Sequence, residues 1–224
     1  MSVRLAVFAS GDGSNLQALL DRFNGATHVR TALVVSDRPN SRALERAKTA
    51  GVAALHIPVV GRPETAVVHD TVHALTQQNI ELIALAGYLR LVPAAVIDRF
   101  RGRILNIHPA LLPAFGGAGM YGRHVHEAVL AAGCRVTGAT VHYVDEVYDE
   151  GRIIAQWPVP VLPGDVAETL AARVLRVEHR LYPAVVDAIA RGVDTAAAGG
   201  AMESFQLASG DPPSEYNIIA IARI

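Results

Sequence analysis

Apolar runs and amphipathic segments alternate along the first half of the chain. Short apolar runs bounded by turns predict buried strands, and the segments between them show helical periodicity. The predicted strands are Val3–Ala9, Val29–Ser36, Val52–Ile57, Ile80–Ala86 and Arg103–Ile107. The predicted helices are Ser14–Phe23, Ser41–Ala50 with Ser41 as its N-cap, Glu64–Gln78, and a short one starting near Pro93. This alternation predicts a largely parallel sheet covered by helices on both faces.

The second half of the chain has a different pattern. Two strand-like segments, Val136–Val144 and Arg152–Val161, are joined by a short acidic loop, which predicts an antiparallel pair at the edge of the sheet. A predicted helix over His124–Ala132 precedes them, and a long one over about Asp165–Arg191 follows. We therefore expect an α/β fold with a single Rossmann-like domain. Its twisted sheet is mostly parallel, with helices on both faces and an antiparallel edge.

The predicted domain covers residues 1–192, and residues 193–224 are expected to form a C-terminal extension. Within the extension, the Ala/Gly-rich segment Thr195–Gly200 predicts a mobile connection. The apolar segment Tyr216–Ile224 predicts a terminal strand. No shift in composition indicates a second domain.

Composition narrows the class of protein. Of the 224 residues, 51% are hydrophobic and 18% charged, and the net charge is −1, so no basic run favours nucleic-acid binding. The single cysteine, Cys134, excludes an intrachain disulfide framework and is typical of a reducing compartment. The longest apolar stretch, Ile80–Leu89, contains Glu81 and is too short to span a membrane, and the N-terminus lacks a signal-peptide pattern. We expect a cytoplasmic protein that binds neither nucleic acid nor membrane.

An amide and an imidazole lie near the end of the predicted strand over residues 103–107. Strand alternation places Asn106 and His108 on the same face, and Pro109 then ends the ladder. Asparagine can polarise a carbonyl group without ionising, and histidine transfers protons near neutral pH. The pair is suited to acyl transfer without a covalent enzyme intermediate.

A glycine-rich turn, Ser10-Gly11-Asp12-Gly13-Ser14-Asn15, connects the first predicted strand to the first helix. Free N–H groups at a helix start favour binding of a phosphate. A dinucleotide site is an alternative, with Asp37 as the ribose-binding acid, but its third glycine is replaced by Leu16. A tight turn with Ser14 as the helix cap is a structural alternative.

The acidic loop between the two late strands offers a partner for His108. One of its carboxylates could hold the imidazole tautomer, but spacing does not choose among Asp145, Glu146, Asp149 and Glu150. His124 and His126 lie two residues apart, unlike the pair of a helical zinc site, so no metal is expected.

Four segments together carry a family resemblance. They are Ser10-Gly11-Asp12-Gly13-Ser14-Asn15-Leu16-Gln17, Leu85-Ala86-Gly87-Tyr88-Leu89-Arg90, Asn106-Ile107-His108-Pro109-Ala110-Leu111-Leu112-Pro113 and Val141-His142-Tyr143-Val144. In this order they resemble the phosphoribosylglycinamide formyltransferases of purine synthesis, and the resemblance extends over residues 3–191. It implies transfer of a formyl group from 10-formyltetrahydrofolate to the amine of glycinamide ribonucleotide.

The resemblance also implies roles for individual residues. The catalytic residues of the family match Asn106, His108 and Asp149, and its phosphate-binding loop matches Gly13, Ser14 and Asn15. The folate-binding segment matches Leu89, Arg90, Leu91 and Val92, together with Asn106. Glu178 matches a glutamate near the glycinamide end of the substrate, and Arg62 an arginine near the folate. The implied partners are these two small molecules, with the folate as cosubstrate and no bound cofactor, in a monomer or homodimer.

Two segments depart from the family pattern. Most members have Pro-Gly where this chain has the longer, glycine-rich segment Phe115–Gly122, which predicts a movable flap. Many members read Asp-x-Gly-Pro where this chain reads Asp149-Glu150-Gly151-Arg152, so the aspartate is retained and its neighbours differ.

Three other functions share parts of this pattern. A formyltetrahydrofolate hydrolase has the same Asn-x-His-Pro chemistry, but an added N-terminal domain for which we expect no room before Val3. Methionyl-tRNA formyltransferase carries a C-terminal RNA-binding domain, whereas the segment after Gly192 is short and contains one basic residue, Arg223. A non-catalytic sugar-phosphate sensor would need only the first loop.

Overall fold

The computed structural model describes residues 2–192, which contain seven strands and six helices. In chain order they are β1 (Val3–Phe8), α1 (Ser14–Phe23), β2 (Val29–Ser36), α2 (Arg42–Thr49), β3 (Ala53–His56), α3 (Glu64–Gln77), β4 (Leu82–Leu85), α4 (Ala94–Arg99), β5 (Ile104–His108), α5 (Arg123–Ala131), β6 (Val136–Tyr143), β7 (Ile153–Pro160) and α6 (Ala167–Ala190). The predicted extension, with its mobile connection and terminal strand, lies outside the described residues.

The seven strands form one sheet in the order β3-β2-β1-β4-β5-β6-β7. The pairs β2·β3, β1·β2, β1·β4 and β4·β5 are parallel, and β6·β7 is antiparallel. The predicted fold class, a mostly parallel α/β sheet with an antiparallel edge, is confirmed. The strand order reverses between β1 and β4, and in such sheets ligands bind beyond the carboxyl ends of the strands at this point.

The chain divides into two compact units, the first made of residues 2–106 with 143–146. Its strands read as continuous apolar runs because both faces of a parallel sheet are buried. The core contains Phe8, Leu75, Ile83, Ile97 and Ile104. The helix α1 buries only one face. Its buried apolar side chains are spaced to form that face, and they are Leu16, Leu19, Leu20 and Phe23.

The second unit consists of residues 107–142 with 147–192 and contains α5, β6, β7 and α6. In the β6·β7 pair Ala139 is opposite Trp157, and an ideal Cβ on the neighbouring Gly138 would lie 2.1 Å from the Trp157 carbonyl oxygen. Only glycine allows that approach, so this residue fixes how closely the two strands pack. No helix among residues 2–192 is long and apolar enough to cross a membrane.

Candidate active site

A buried imidazole and a carboxylate meet in the second unit. His108 is the last residue of β5 and is 3% exposed. Its Nδ1 lies 3.4 Å from Oδ2 of Asp149, which precedes β7 and has a φ of 59°. The same Oδ2 accepts a hydrogen bond of 2.9 Å from the backbone N–H of Gly117. Of the acids in the loop over residues 145–151, the structure therefore brings Asp149 to His108.

A second buried imidazole contacts the other oxygen of this carboxylate. His142, near the end of β6, is 2% exposed, and its Nε2 lies 3.5 Å from Oδ1 of Asp149. The sequence pattern predicts no role for His142, which belongs only to the motif Val141-His142-Tyr143-Val144. The available signal was a histidine in an apolar strand that leads directly into the acidic loop. The carboxylate thus lies between two imidazoles.

The other ring nitrogen of His108 contacts the backbone. Its Nε2 lies 2.8 Å from the carbonyl oxygen of Phe115. Because a carbonyl oxygen can only accept, we assign the hydrogen to Nε2. In the neutral ring Nδ1 is then the basic atom, and a proton taken up there would face Asp149.

Burial and charge shift the pKa values of His108 and Asp149 in opposite directions. Burial lowers the pKa of His108 below its usual value, although the charge of Asp149 and the Phe115 carbonyl favour the imidazolium. Burial alone would raise the pKa of Asp149, but the contact with His142, the positive charge that His108 carries when protonated and the Gly117 N–H together lower it. The carboxylate is therefore ionised at neutral pH, and His108 is predominantly neutral.

A third buried histidine, His126, lies in α5, and the sequence motifs do not link it to His108. His126 is 4% exposed, and its Nδ1 has no hydrogen-bond partner among the described residues. Burial lowers its pKa, and the positive charge that His108 carries when protonated lowers it further. Among residues 2–192, no group of three or more His, Cys, Asp and Glu residues is arranged to hold a metal ion.

The glycine-rich loop, residues 10–15, lies in the first unit between β1 and α1. Gly13 is the N-cap of α1 with a φ of 75°, so the alternative with Ser14 as the cap is wrong. Ser14 and the buried Asn15 form the start of the helix. Their backbone N–H groups belong to the first helical turn, which has no intrahelical acceptors for its donors. This geometry suits a phosphate, provided that the loop keeps its shape.

The loop after β4 is joined to the glycine-rich loop at the point where the strand order reverses. Ser10 donates its backbone N–H to the Gly87 carbonyl at 3.1 Å, and its Oγ accepts from the Leu89 N–H at 2.9 Å. These bonds place the two loops side by side at the carboxyl ends of β1 and β4. That is where a parallel sheet of this order binds its ligands.

The predicted folate-binding residues differ in their exposure. Arg90 donates from Nε to Oδ2 of Asp37 at 2.8 Å, so the acid considered for a ribose is paired with this arginine. Leu91 is 46% exposed, whereas Val92 packs in the core of the first unit. A ligand along this segment would therefore meet the Leu91 side chain, but not that of Val92.

The remaining predicted residues come from three different elements. Asn106 is half-buried in β5 opposite Leu85 of β4. Glu178 lies in α6 and is 7% exposed. Arg62 precedes α3 and forms an ion pair of 2.8 Å with Asp70.

Comparisons with known proteins agree with this architecture. A family model described as formyl transferase matches residues 3–186. The chloroplastic phosphoribosylglycinamide formyltransferase of Vigna unguiculata is 44% identical over 188 residues, which are 83% of this chain and 60% of the relative. The phosphoribosylglycinamide formyltransferase of Bacillus subtilis (strain 168) is 39% identical over 190 residues, which are 82% of this chain and 92% of the relative.

Solved structures show the same similarity. The crystal structure of glycinamide ribonucleotide transformylase 1 from Symbiobacterium toebii is 44% identical, with a TM-score of 0.79 over 85% of this chain and 89% of that one. The chain spans less than two thirds of the length of the plant relatives, 60% in Vigna unguiculata and 65% in Arabidopsis thaliana.

Proposed function

This chain belongs to the phosphoribosylglycinamide formyltransferases of the formyl transferase family, and from this we propose that it formylates the amine of glycinamide ribonucleotide, with 10-formyltetrahydrofolate as the donor. The observation that carries the proposal is the His108–Asp149 pair at the end of β5, the strand that also holds Asn106. The folate is a cosubstrate, and no bound cofactor or metal takes part in the proposed reaction.

The proposed reaction is a direct transfer. The amine nitrogen attacks the formyl carbon, a new N–C bond forms, and the bond from that carbon to the folate nitrogen breaks. The amine gives up one proton and the folate nitrogen gains one, so the exchange is balanced. Holding the two substrates side by side supplies much of the rate enhancement through proximity.

Asn106 would donate a hydrogen bond from its side-chain amide to the formyl oxygen. Negative charge develops on this oxygen as the amine attacks. A preorganised donor of this kind contributes ~3 kcal/mol to transition-state stabilisation. An amide suits the role because it donates without changing its protonation state.

His108 would assist the proton transfer or polarise the formyl oxygen as imidazolium. Asp149 would hold the ring and stabilise its charged form, and could relay a proton through water to the folate nitrogen. For Nε2 to reach a substrate, the Phe115 carbonyl has to give up its hydrogen bond to this atom. The glycine-rich segment that follows, Gly116–Gly122, supports such a movement, since glycine permits large backbone changes.

The proposed substrate contacts follow the family motifs. Gly13, Ser14 and Asn15 would hold the phosphate, Glu178 would lie near the glycinamide end, and the folate would bind along Leu89, Arg90, Leu91 and Val92 and at Asn106. We also propose that residues 1–192 form the transferase domain, with 193–224 as an extension. The protein would act in the cytoplasm as a monomer or homodimer.

The test is the dependence of tetrahydrofolate release on the acceptor. Purified protein is incubated with 10-formyltetrahydrofolate, with and without glycinamide ribonucleotide, and tetrahydrofolate is measured. We expect release only when the ribonucleotide is present. Equal release in its absence would indicate a hydrolase, and no release in either case would indicate a binding protein.

A further inference from the structure

We propose that Arg46 is a positioning residue, which holds the phosphate loop, defined as residues 10–15, in the shape that binds the substrate's phosphate. The inference rests on the proposed function, in which this loop is the phosphate site. Arg46 lies outside the loop, on the neighbouring helix α2, and none of the family motifs assigns it a role.

Each guanidinium nitrogen of Arg46 donates a hydrogen bond, two of them to the loop and one to the start of α1. Its Nε donates to the backbone carbonyl of Asp12 at 2.8 Å, and Nη2 donates to the Asp12 carboxylate at 3.0 Å. Its Nη1 donates to Oε1 of Gln17, in the first turn of α1, at 3.1 Å. The planar fork of arginine can make these bonds together, whereas a lysine ammonium cannot reproduce their geometry.

The backbone of α2 contacts the same loop. The Ala43 N–H donates to the Gly11 carbonyl at 3.2 Å. An ideal Cβ on Gly13 would lie 3.0 Å from both Cα and Cβ of Ala43, so the loop and α2 are already in close contact. With α2 against one side of the loop and Arg46 across its middle, the direction of the N–H groups that follow Gly13 depends on this helix.

Charge supports a positioning role over direct binding. The Asp12 carboxylate lies in the phosphate loop, where it would repel a bound dianion unless it were neutralised. Arg46 provides that neutralisation, and Arg42 contacts the other carboxylate oxygen at 2.6 Å. Because Arg46 directs bonds from all three guanidinium nitrogens to Asp12 and Gln17, we infer that its effect on a phosphate passes through the loop.

Arg42 is a matched control for charge. It lies on the same helix and pairs with the same carboxylate, but its side chain is 67% exposed, against 25% for Arg46. Arg42→Met and Arg46→Met therefore remove the same charge, and only Arg46→Met removes the bond to the loop backbone. Arg46→Lys keeps the charge and loses the fork.

The experiment measures kcat and KM for both substrates in these variants. We expect Arg46→Met and Arg46→Lys to raise the KM for glycinamide ribonucleotide about tenfold. Their kcat and their KM for 10-formyltetrahydrofolate should stay within about twofold of wild type, and Arg42→Met should raise the ribonucleotide KM no more than about threefold. Gln17→Met removes one partner of Arg46 and should also raise the KM for glycinamide ribonucleotide, by a smaller factor. This variant replaces the Arg46 variants if they do not fold.

Equal effects of Arg42→Met and Arg46→Met, or wild-type behaviour of Arg46→Lys, would overturn the proposal in favour of charge alone. Failure of the proposed function is separate, since it would appear as absence of turnover in the wild-type protein. In that case titration calorimetry with ribose 5-phosphate decides the inference. Weaker binding to both Arg46 variants than to Arg42→Met supports it, and equal binding to all proteins, or no binding to wild type, refutes it.

Discussion

His108 and Asp149 come from segments far apart in the sequence, and they meet with Nδ1 of the imidazole 3.4 Å from Oδ2 of the carboxylate. Both groups are buried, and the lowered pKa of Asp149 keeps it ionised beside a predominantly neutral ring. A proton that reaches Nδ1 therefore forms an ion pair in a site of low polarity. This arrangement lets His108 accept a proton at Nδ1 and release it again.

Replacement of His108 by alanine tests whether this group takes part in the reaction. We expect His108→Ala to lower kcat by roughly 10²–10⁴-fold, because positioned acid–base groups contribute that much to a transition state. Substrate binding should be largely retained, as shown by KM values and by calorimetric titration.

His69→Ala serves as the control, since its side chain is 78% exposed on α3. It should keep wild-type turnover. If His108→Ala also turned over substrate at the wild-type rate, His108 would have no role in the reaction.

Removal of the negative charge beside His108 should shift its titration. The Asp149 carboxylate favours the imidazolium, so Asp149→Asn should lower the pKa of His108 further below its usual value. The measurement is NMR titration of the His108 ring signals in wild type and variant, with His108→Ala to assign them. A higher pKa in Asp149→Asn would contradict the electrostatic coupling described above.

The fold could be predicted largely from the sequence because burial leaves a periodic pattern. For residues 14–23 and 29–36 the sequence pattern predicts the observed boundaries. The strand β4 is shorter than its apolar run, since Ile80 donates its N–H to Leu75 at the end of α3 and Glu81 donates to Arg4. Such end contacts depend on tertiary packing, which a local pattern does not contain.

The site was predictable in part. The positions of Asn106 and His108 at a strand end follow from strand alternation and from Pro109. Which of the four acids in the loop over residues 145–151 reaches His108 does not follow from the sequence pattern. Asp149 reaches His108 through a backbone with positive φ and through close packing on Gly116, where an ideal Cβ would lie 3.2 Å from the Asp149 Cβ. These are tertiary features. The functional roles of the site residues stay predictions.

A methyl group at Gly13 should damage the phosphate loop. Gly13 has a φ of 75°, a conformation that costs an L-residue about 1–2 kcal/mol, and the added Cβ would press on Ala43. We expect Gly13→Ala to lower the free energy of unfolding by at least this amount and to raise the KM for glycinamide ribonucleotide. Urea unfolding and steady-state kinetics measure the two effects.

Gly11 of the same loop provides the matched control. An ideal Cβ there has no neighbour within 4 Å among the described residues, and its φ is not in the left-handed region. Gly11→Ala should change the free energy of unfolding by no more than about 0.5 kcal/mol. Equal destabilisation by both substitutions would contradict the argument from conformation and contact.

The buried ring of His126 should make the fold sensitive to mild acid. Burial lowers the pKa of His126 in the folded state, whereas in the unfolded chain the ring takes up a proton below about pH 6.5. The unfolded state then binds more protons, so the free energy of unfolding falls as pH drops through 6.5 and levels off below the folded-state pKa.

His126→Met keeps an apolar side chain in the same space and removes the titration. Urea unfolding between pH 8 and 5 should show a smaller loss of stability in the variant, with the slopes differing by up to about 1.4 kcal/mol per pH unit. His108, whose pKa is lowered by burial in the same way, accounts for part of the slope that the variant retains. Identical slopes in the two proteins would mean that His126 is protonated equally in the folded and unfolded states.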